Sequence, residues 1–210
     1  GAMGTRRLRF ETAGGAVEFA PGAAFFNFGR ERDEDWNANI TIGLEDLVTV
    51  GKVSVRLQAD VYRLKSERVT TQLSPVVPVP AFETTTRIDQ TFGTNFSVWA
   101  DLRPLEETPV IMSLGAGAGL ANMRMFVTDN QPNTFFGTVN KTQLTFMIGA
   151  QVGYEFSDVV TAGVEARYID FGEFNVNMFR ASDNSFTGRF NLDLTTRMVM
   201  GFVRFDLNAL

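Results

Sequence analysis

From residue 144 to residue 156 the chain alternates without a break. Leu144, Phe146, Ile148, Ala150, Val152, Tyr154 and Phe156 take every second position, with Thr145, Met147, Gly149, Gln151, Gly153 and Glu155 between them. A period of two sends successive side chains to opposite faces of an extended strand, whereas a helix needs about 3.6. Ser157 and Asp158 then reverse the chain. Val160, Ala162, Val164, Ala166 and Tyr168 resume the pattern opposite Thr161, Gly163, Glu165 and Arg167. Residues 142–174 are therefore predicted to form a hairpin of two long strands with one apolar and one polar face. The apolar face either lines a soluble core or meets lipid.

The same alternation recurs along the chain. Ala38, Ile40, Ile42 and Leu44 share one face of a strand, and Val53, Val55, Leu57, Ala59 and Val61 one face of the next. Phe92, Thr94, Phe96, Val98, Ala100 and Leu102 follow, then Val110, Met112, Leu114, Ala116, Ala118 and Leu120. A last strand over 191–207 places Val199, Val203 and Phe205 on the apolar side and Arg204 opposite. The first strand is expected within 14–29, where Pro21-Gly22 divides two pieces. The charged run 30–36 is expected to be a loop, as are 66–88 with its SPVVPVPAF, the polar stretch 128–141, and the residues after 174. This makes eight strands whose connections alternate between short and long, as an up-and-down barrel with both termini at the short-turn end requires. Gly1-Ala2-Met3-Gly4 has the look of a scar left by tag removal. Residues 1–13 are thus expected to be scar and lead-in, and 14–210 one barrel domain.

Composition narrows the chemistry. The 210 residues contain neither histidine nor cysteine, which removes Ser–His–Asp catalysis, thiolate chemistry and the usual zinc ligands. No enzymatic activity, cofactor or metal is expected. Nineteen basic against 24 acidic residues give a net charge of −5, which argues against a nucleic-acid surface. No run of about 18 apolar residues offers a transmembrane helix, but a membrane barrel would not show one.

Three features favour lipid as the neighbour of the apolar face. The polar face is rich in Gly, Ser, Thr, Asn and Gln and poor in Lys, which suits the narrow interior of a small barrel. Several strands hold their alternation for about ten residues, against the usual globular length of about 5–6 and the roughly 9–11 that cross a bilayer. Aromatic residues cluster near strand ends, as in interfacial girdles: Tyr154 and Phe156 flank the short turn, Tyr168 and Phe171 lie toward the opposite end of the next strand, and Trp36 and the phenylalanine cluster at 25–28 sit near a loop. The fold expected is all-β, an eight-stranded antiparallel up-and-down transmembrane β-barrel.

The segments VWADLRPLEETPVIMSLGAGAG, IGAQVGYEFSD and GVEARYIDFGEFN resemble the later strands of the OmpA/opacity-type eight-stranded outer-membrane proteins. The resemblance covers about residues 92–207. It rests on an aromatic-Asp strand end, a Thr-Pro turn, a glycine-rich strand, and Glu165, Arg167, Tyr168, Asp170, Phe171 and Gly172. Ala166 departs from it, standing where an aromatic is common. So does the FDLNAL ending, which lacks a terminal aromatic, and no peptidoglycan-binding domain is appended. The resemblance implies the outer membrane of a Gram-negative bacterium, with lipid or lipopolysaccharide as surroundings. It also implies a structural or surface-interaction role, adhesin- or antigen-like, through the loops.

Two groups of residues are candidate sites. Arg56, Asp60, Asp101, Arg103, Glu165, Arg167 and Arg204 should share the interior as a lumen charge network. It would serve either an ion-conducting narrow porin or, as an eight-stranded bore favours, a plug of paired charges. Pro75, Val76, Val77, Pro78, Val79, Pro80 and Phe82 form an apolar loop. That loop would contact a host or cell-surface protein, or simply pack on its neighbours. A soluble, lipocalin-like barrel enclosing a lipophile is the remaining alternative.

Overall fold

The computed structural model describes residues 2–9, 16–19, 22–27, 32–64, 67–75, 82–104, 108–129 and 135–206. Eleven strands form one antiparallel sheet: β1 (Ala2–Arg9), β2 (Ala16–Phe19), β3 (Gly22–Asn27), β4 (Arg32–Val50), β5 (Val53–Leu64), β6 (Glu67–Pro75), β7 (Phe82–Leu102), β8 (Val110–Asp129), β9 (Phe135–Glu155), β10 (Val160–Arg180) and β11 (Phe186–Phe205). The sheet closes on itself, because β1 pairs with both β4 and β11 while β7 pairs with β8. The ring runs β1, β4, β5, β7, β8, β9, β10, β11, eight strands each antiparallel to the next.

The three remaining strands extend this ring at the long-connection end. Along β7, the pairing passes from β5 to β6, with Leu64 opposite Thr91 and Glu67 opposite Ile88. β3 pairs with β6, and β2 joins β3 to β11. The chain therefore makes eight staves, of which the first three are each broken into two pieces: β1 with β2, β3 with β4, and β5 with β6.

Several expected boundaries are corrected. The stave that closes the ring begins with Ala2–Arg9, inside the residues assigned to scar and lead-in. The 14–29 window instead holds a hairpin, β2 and β3, shared between two staves. Most of the charged run 30–36 belongs to β4, and large parts of 66–88, 128–141 and 175–189 belong to β6, β7, β8, β9, β10 and β11. Strands at this end have polar outer faces, so their composition resembles that of loops.

Two solvents are written on the wall. At the short-turn end the outward side chains are apolar: Ile42, Leu57, Phe96, Leu114, Ile148 and Val164 are all exposed. The inward ones there are mostly polar and buried, among them Ser54, Gln58, Ser97, Ser113 and Gln151. Above Leu120 and Leu144 the pattern inverts. Asn122, Arg124, Thr138 and Asn140 face outward and are exposed, while Met123, Met125, Val127, Phe174 and Val176 are buried inside. The apolar outer face, Met112 to Leu120 on β8 and Leu144 to Tyr154 on β9, matches the roughly 9–11 residues that cross a bilayer. A 21-residue strand such as β9, at about 3.4 Å per residue and a tilt near 45°, rises roughly 50 Å, about twice the apolar band of a membrane barrel. The polar inner face of the belt overturns the lipocalin-like alternative, which requires the apolar face inside.

Bulges reset the alternation. The register of β10 against β11 shifts between Asp170 and Gly172, where Gly172 has φ of 73° and donates its N–H to Asp170 Oδ1 at 2.8 Å. Phe171 keeps the inward parity of Glu165, Arg167 and Ile169, and the extra residue then brings Phe174 inward too; the two are 2 % and 0 % exposed. Phe171 is therefore a core residue and not part of an interfacial girdle. Tyr154 and Phe156 do sit exposed beside the short turn, edge to face with centroids 4.9 Å apart. The side chains of Trp36 and of the phenylalanines at 25–28 lie outside the described residues.

Beyond the bulge β9 and β10 part, from the Asp170–Phe146 pair until Met178 meets Gly137. Gln143 Nε2 fills the gap by donating to the Glu173 carbonyl at 2.9 Å. A Cβ on Gly172 would strike that same amide. Gly172→Ala is expected to lower the stability of the folded barrel by about 1–2 kcal/mol, read as a lower urea midpoint in detergent. Gly51→Ala, also at positive φ but in open space, should fall at the lower end of that range.

Candidate functional site

The inward positions of the belt hold one connected network. On β5, Arg56, Gln58 and Asp60 alternate with outward residues and so point into the lumen one above another. Arg56 grips Asp101 of β7 with two hydrogen bonds, Nε to Oδ2 at 2.9 Å and Nη2 to Oδ1 at 3.2 Å. Arg56 also donates to the Gln58 side-chain oxygen and, at 2.9 Å, to Gln151 Oε1 of β9. Gln58 donates to Asp60 at 2.9 Å. On the far wall, Gln151 donates to Glu165 of β10 at 3.0 Å, and Arg167 Nε donates to Glu165 Oε1 at 2.5 Å.

Arg167 Nη1 completes the circuit by reaching Asp60 Oδ2 at 3.2 Å. In the ring β5 and β10 stand four strands apart, on diametrically opposite walls. The Asp60–Arg167 pair thus spans the lumen, and the cycle Arg56–Gln58–Asp60–Arg167–Glu165–Gln151 forms one layer across it. Every member is buried. Such burial is tolerable only because each charge has an opposite charge and neutral dipoles around it. The one donor of this group without a partner is Arg167 Nη2.

Trp99 caps the layer. Its indole N–H donates to Ser97 Oγ at 2.9 Å, and Arg56 lies over its ring at 5.2 Å. The ring occupies space that only glycines leave open, since a Cβ on Gly115 or Gly149 would overlap it. Beyond it the bore is filled by Met147, Ile169, Met123, Phe171 and Met125, all buried. A charged layer is followed by a largely apolar one, with Asn95 and Thr145 buried in it.

The structure brings together five of the seven predicted lumen residues: Arg56, Asp60, Asp101, Glu165 and Arg167. Arg204 stands at the edge of the network, half-buried, 2.9 Å from Glu45 and 3.8 Å from Asp101. It bridges β11 to β4 where both run past the first residue of β1. Arg103 is not in the lumen. It follows the last residue of β7, is exposed at the short-turn rim, and pairs with Glu155 at 2.9 Å. Inward parity holds only while the strand lasts, and the strand ends at Leu102. Gln58 and Gln151 were not singled out from sequence, although both share the inward parity of charges two residues away or directly across the sheet.

Of the apolar loop, Pro75 ends β6 and Phe82 opens β7. Val76, Val77, Pro78, Val79 and Pro80 lie outside the described residues. Among the described residues no group of His, Cys, Asp and Glu is arranged to hold a metal ion.

No family model matches the chain, and no curated protein does. Among solved structures, neisserial surface protein A is 15 % identical over 97 % of this chain and 95 % of its own, with a TM-score of 0.40. The outer-membrane protease OmpT of Escherichia coli is 10 % identical over 98 % and 97 %, with a TM-score of 0.36. Neither likeness assigns a role to this chain.

Removing one side of the diametric pair leaves charge stranded in the bore. Arg167→Met is expected to cost about 3–5 kcal/mol, because Asp60 and Glu165 lose their only shared cation. Arg103→Gln, at the exposed rim, should cost no more than about 1 kcal/mol. Urea unfolding of the two variants in the same detergent measures the contrast.

Proposed function

We propose that this chain is an outer-membrane β-barrel of a Gram-negative bacterium, closed to solutes, with a structural or surface-interaction role. The observation that carries the reading is the exposed apolar belt of bilayer height around an interior filled by paired charges. Water as the outer solvent would leave Ile40, Ile42, Phe96, Leu114 and Ile148 uncovered, each at least 60 % exposed. Lipid removes that cost, and pairing between neighbouring strands satisfies most backbone groups of the wall. Only the facing edges of β4 over 40–50 and of β11 over 199–205 have no strand between them among the described residues. The paired charges across the bore and the largely apolar side chains above them weigh against the narrow-porin alternative.

The working surface of such a protein is the wall above the belt. There an aromatic cluster stands on the outer face, Phe136 and Phe186 exposed and Phe179 half-buried between them: Phe136 and Phe179 have centroids 6.2 Å apart, Phe179 and Phe186 6.0 Å. An apolar group set among polar neighbours suits contact with a host or cell-surface partner.

The belt is tested by charge. Leu114→Arg, at mid-belt, should destabilise the barrel in lipid vesicles by about 2–4 kcal/mol, and Thr138→Arg, above it, by about 0–1 kcal/mol. Equal effects would remove lipid as the neighbour of Leu114. In planar bilayers the inserted protein should show no conductance above background, and steady single-channel openings would restore the porin reading.

A further inference from the structure

The upper edge of the apolar belt carries an uncompensated pair of cations on β5 and β8, with β7 between them. Arg63 is exposed and lies directly across from Phe92, which is 49 % exposed and is the last apolar outward residue of its strand. Phe92 lies in turn across from Asn122, and Arg124 is the next outward residue beyond Asn122. Arg63 and Arg124 thus stand two strands apart and two residues offset, about 12 Å by strand spacing and rise, on either side of an aromatic ring at the boundary of the belt. Among the described residues neither has a carboxylate partner. Arg124 has only the Phe126 ring, 5.0 Å from its guanidinium carbon. The nearby Arg87 differs, being bound to Asp89 at 2.5 Å. At the opposite rim of the same strands, Arg103 is likewise bound, to Glu155 at 2.9 Å.

Two free guanidinium groups held at the height where acyl chains give way to headgroups match one kind of neighbour. We propose that Arg63 and Arg124 hold the phosphate of an anionic lipid in the leaflet on the long-connection side, the neighbouring Asn122 amide being engaged with Thr142 Oγ1 at 3.0 Å. Guanidinium groups present forked N–H donors that fit phosphate oxygens. The Phe92 ring offers a surface against which the upper part of an acyl chain packs. This inference rests on the membrane reading and adds a specific lipid site to it.

The test uses the folded barrel in phosphatidylcholine vesicles, alone or doped with phosphatidylglycerol or with lipid A. Lipid retained on the protein after release into detergent is counted by native mass spectrometry. The wild-type barrel should retain either phosphate-bearing dopant over phosphatidylcholine by roughly tenfold, since two basic side chains at an anionic surface support a difference of that order. The preference should shrink in high salt. Arg63→Gln with Arg124→Gln should abolish it, while the paired lysine variant and Arg103→Gln should keep it. Heat-modifiable gel mobility verifies that each variant is folded. Equal retention of anionic and zwitterionic lipid, or unchanged preference in the double glutamine variant, overturns the site. So does displacement of the bound lipid by millimolar inorganic phosphate, which would make free phosphate the ligand. A barrel that stays dispersed without detergent and enters no vesicle overturns the membrane reading instead.

Discussion

Backbone hydrogen bonding is the constraint on which this structure depends. A wall that faces an apolar solvent cannot leave rows of N–H and C=O groups unpaired, because nothing outside will accept or donate. A sheet meets that demand by closing. Here β1 joins β4 to β11 and completes a ring of eight strands in the upper wall. Below Ala2 the edges of β4 and β11 face each other without a strand between them among the described residues. Once the ring closes, each strand must give one face to the bore and the other to the surroundings. The period of two along residues 144–156 is the trace of that division.

Closure with so few strands creates the second problem, a bore that must be filled. The chain fills its lower part with charges and its upper part with methionines and phenylalanines. The charged layer holds because glutamines relay between ions. Gln58 links Arg56 to Asp60, and Gln151 links Arg56 to Glu165, so the pairs become one cycle. Gly115 and Gly149 leave room for Trp99 to close it. Small residues on the inner face are thus a packing requirement of the narrow barrel.

The inversion above the belt follows from the change of solvent. On the membrane reading proposed above, strands that rise beyond lipid enter water, so polar residues move outside and the interior becomes a largely apolar core. The bulges beside Asp89 and Gly172 adjust register near this transition. β9 and β10 separate there, and Gln143 covers the gap. One wall therefore serves two environments by exchanging the chemistry of its faces.

Much of this was legible without coordinates. Alternation determined that the chain is all-β, and the phase of each belt strand placed Arg56, Asp60, Asp101, Glu165 and Arg167 on the inner face. These are local properties, set by the fixed geometry of an extended backbone. Other features depend on which strands meet and where each one ends. The position of β1, the strands hidden in the supposed loops, the inward turn of Phe174 and the exclusion of Arg103 from the lumen were decided by pairing, bulges and strand ends. That Asp60 meets Arg167 across the bore was decided only by closure, because 107 residues separate them in the chain. A sequence pattern states which face a residue occupies; the order of strands around the ring states what it faces.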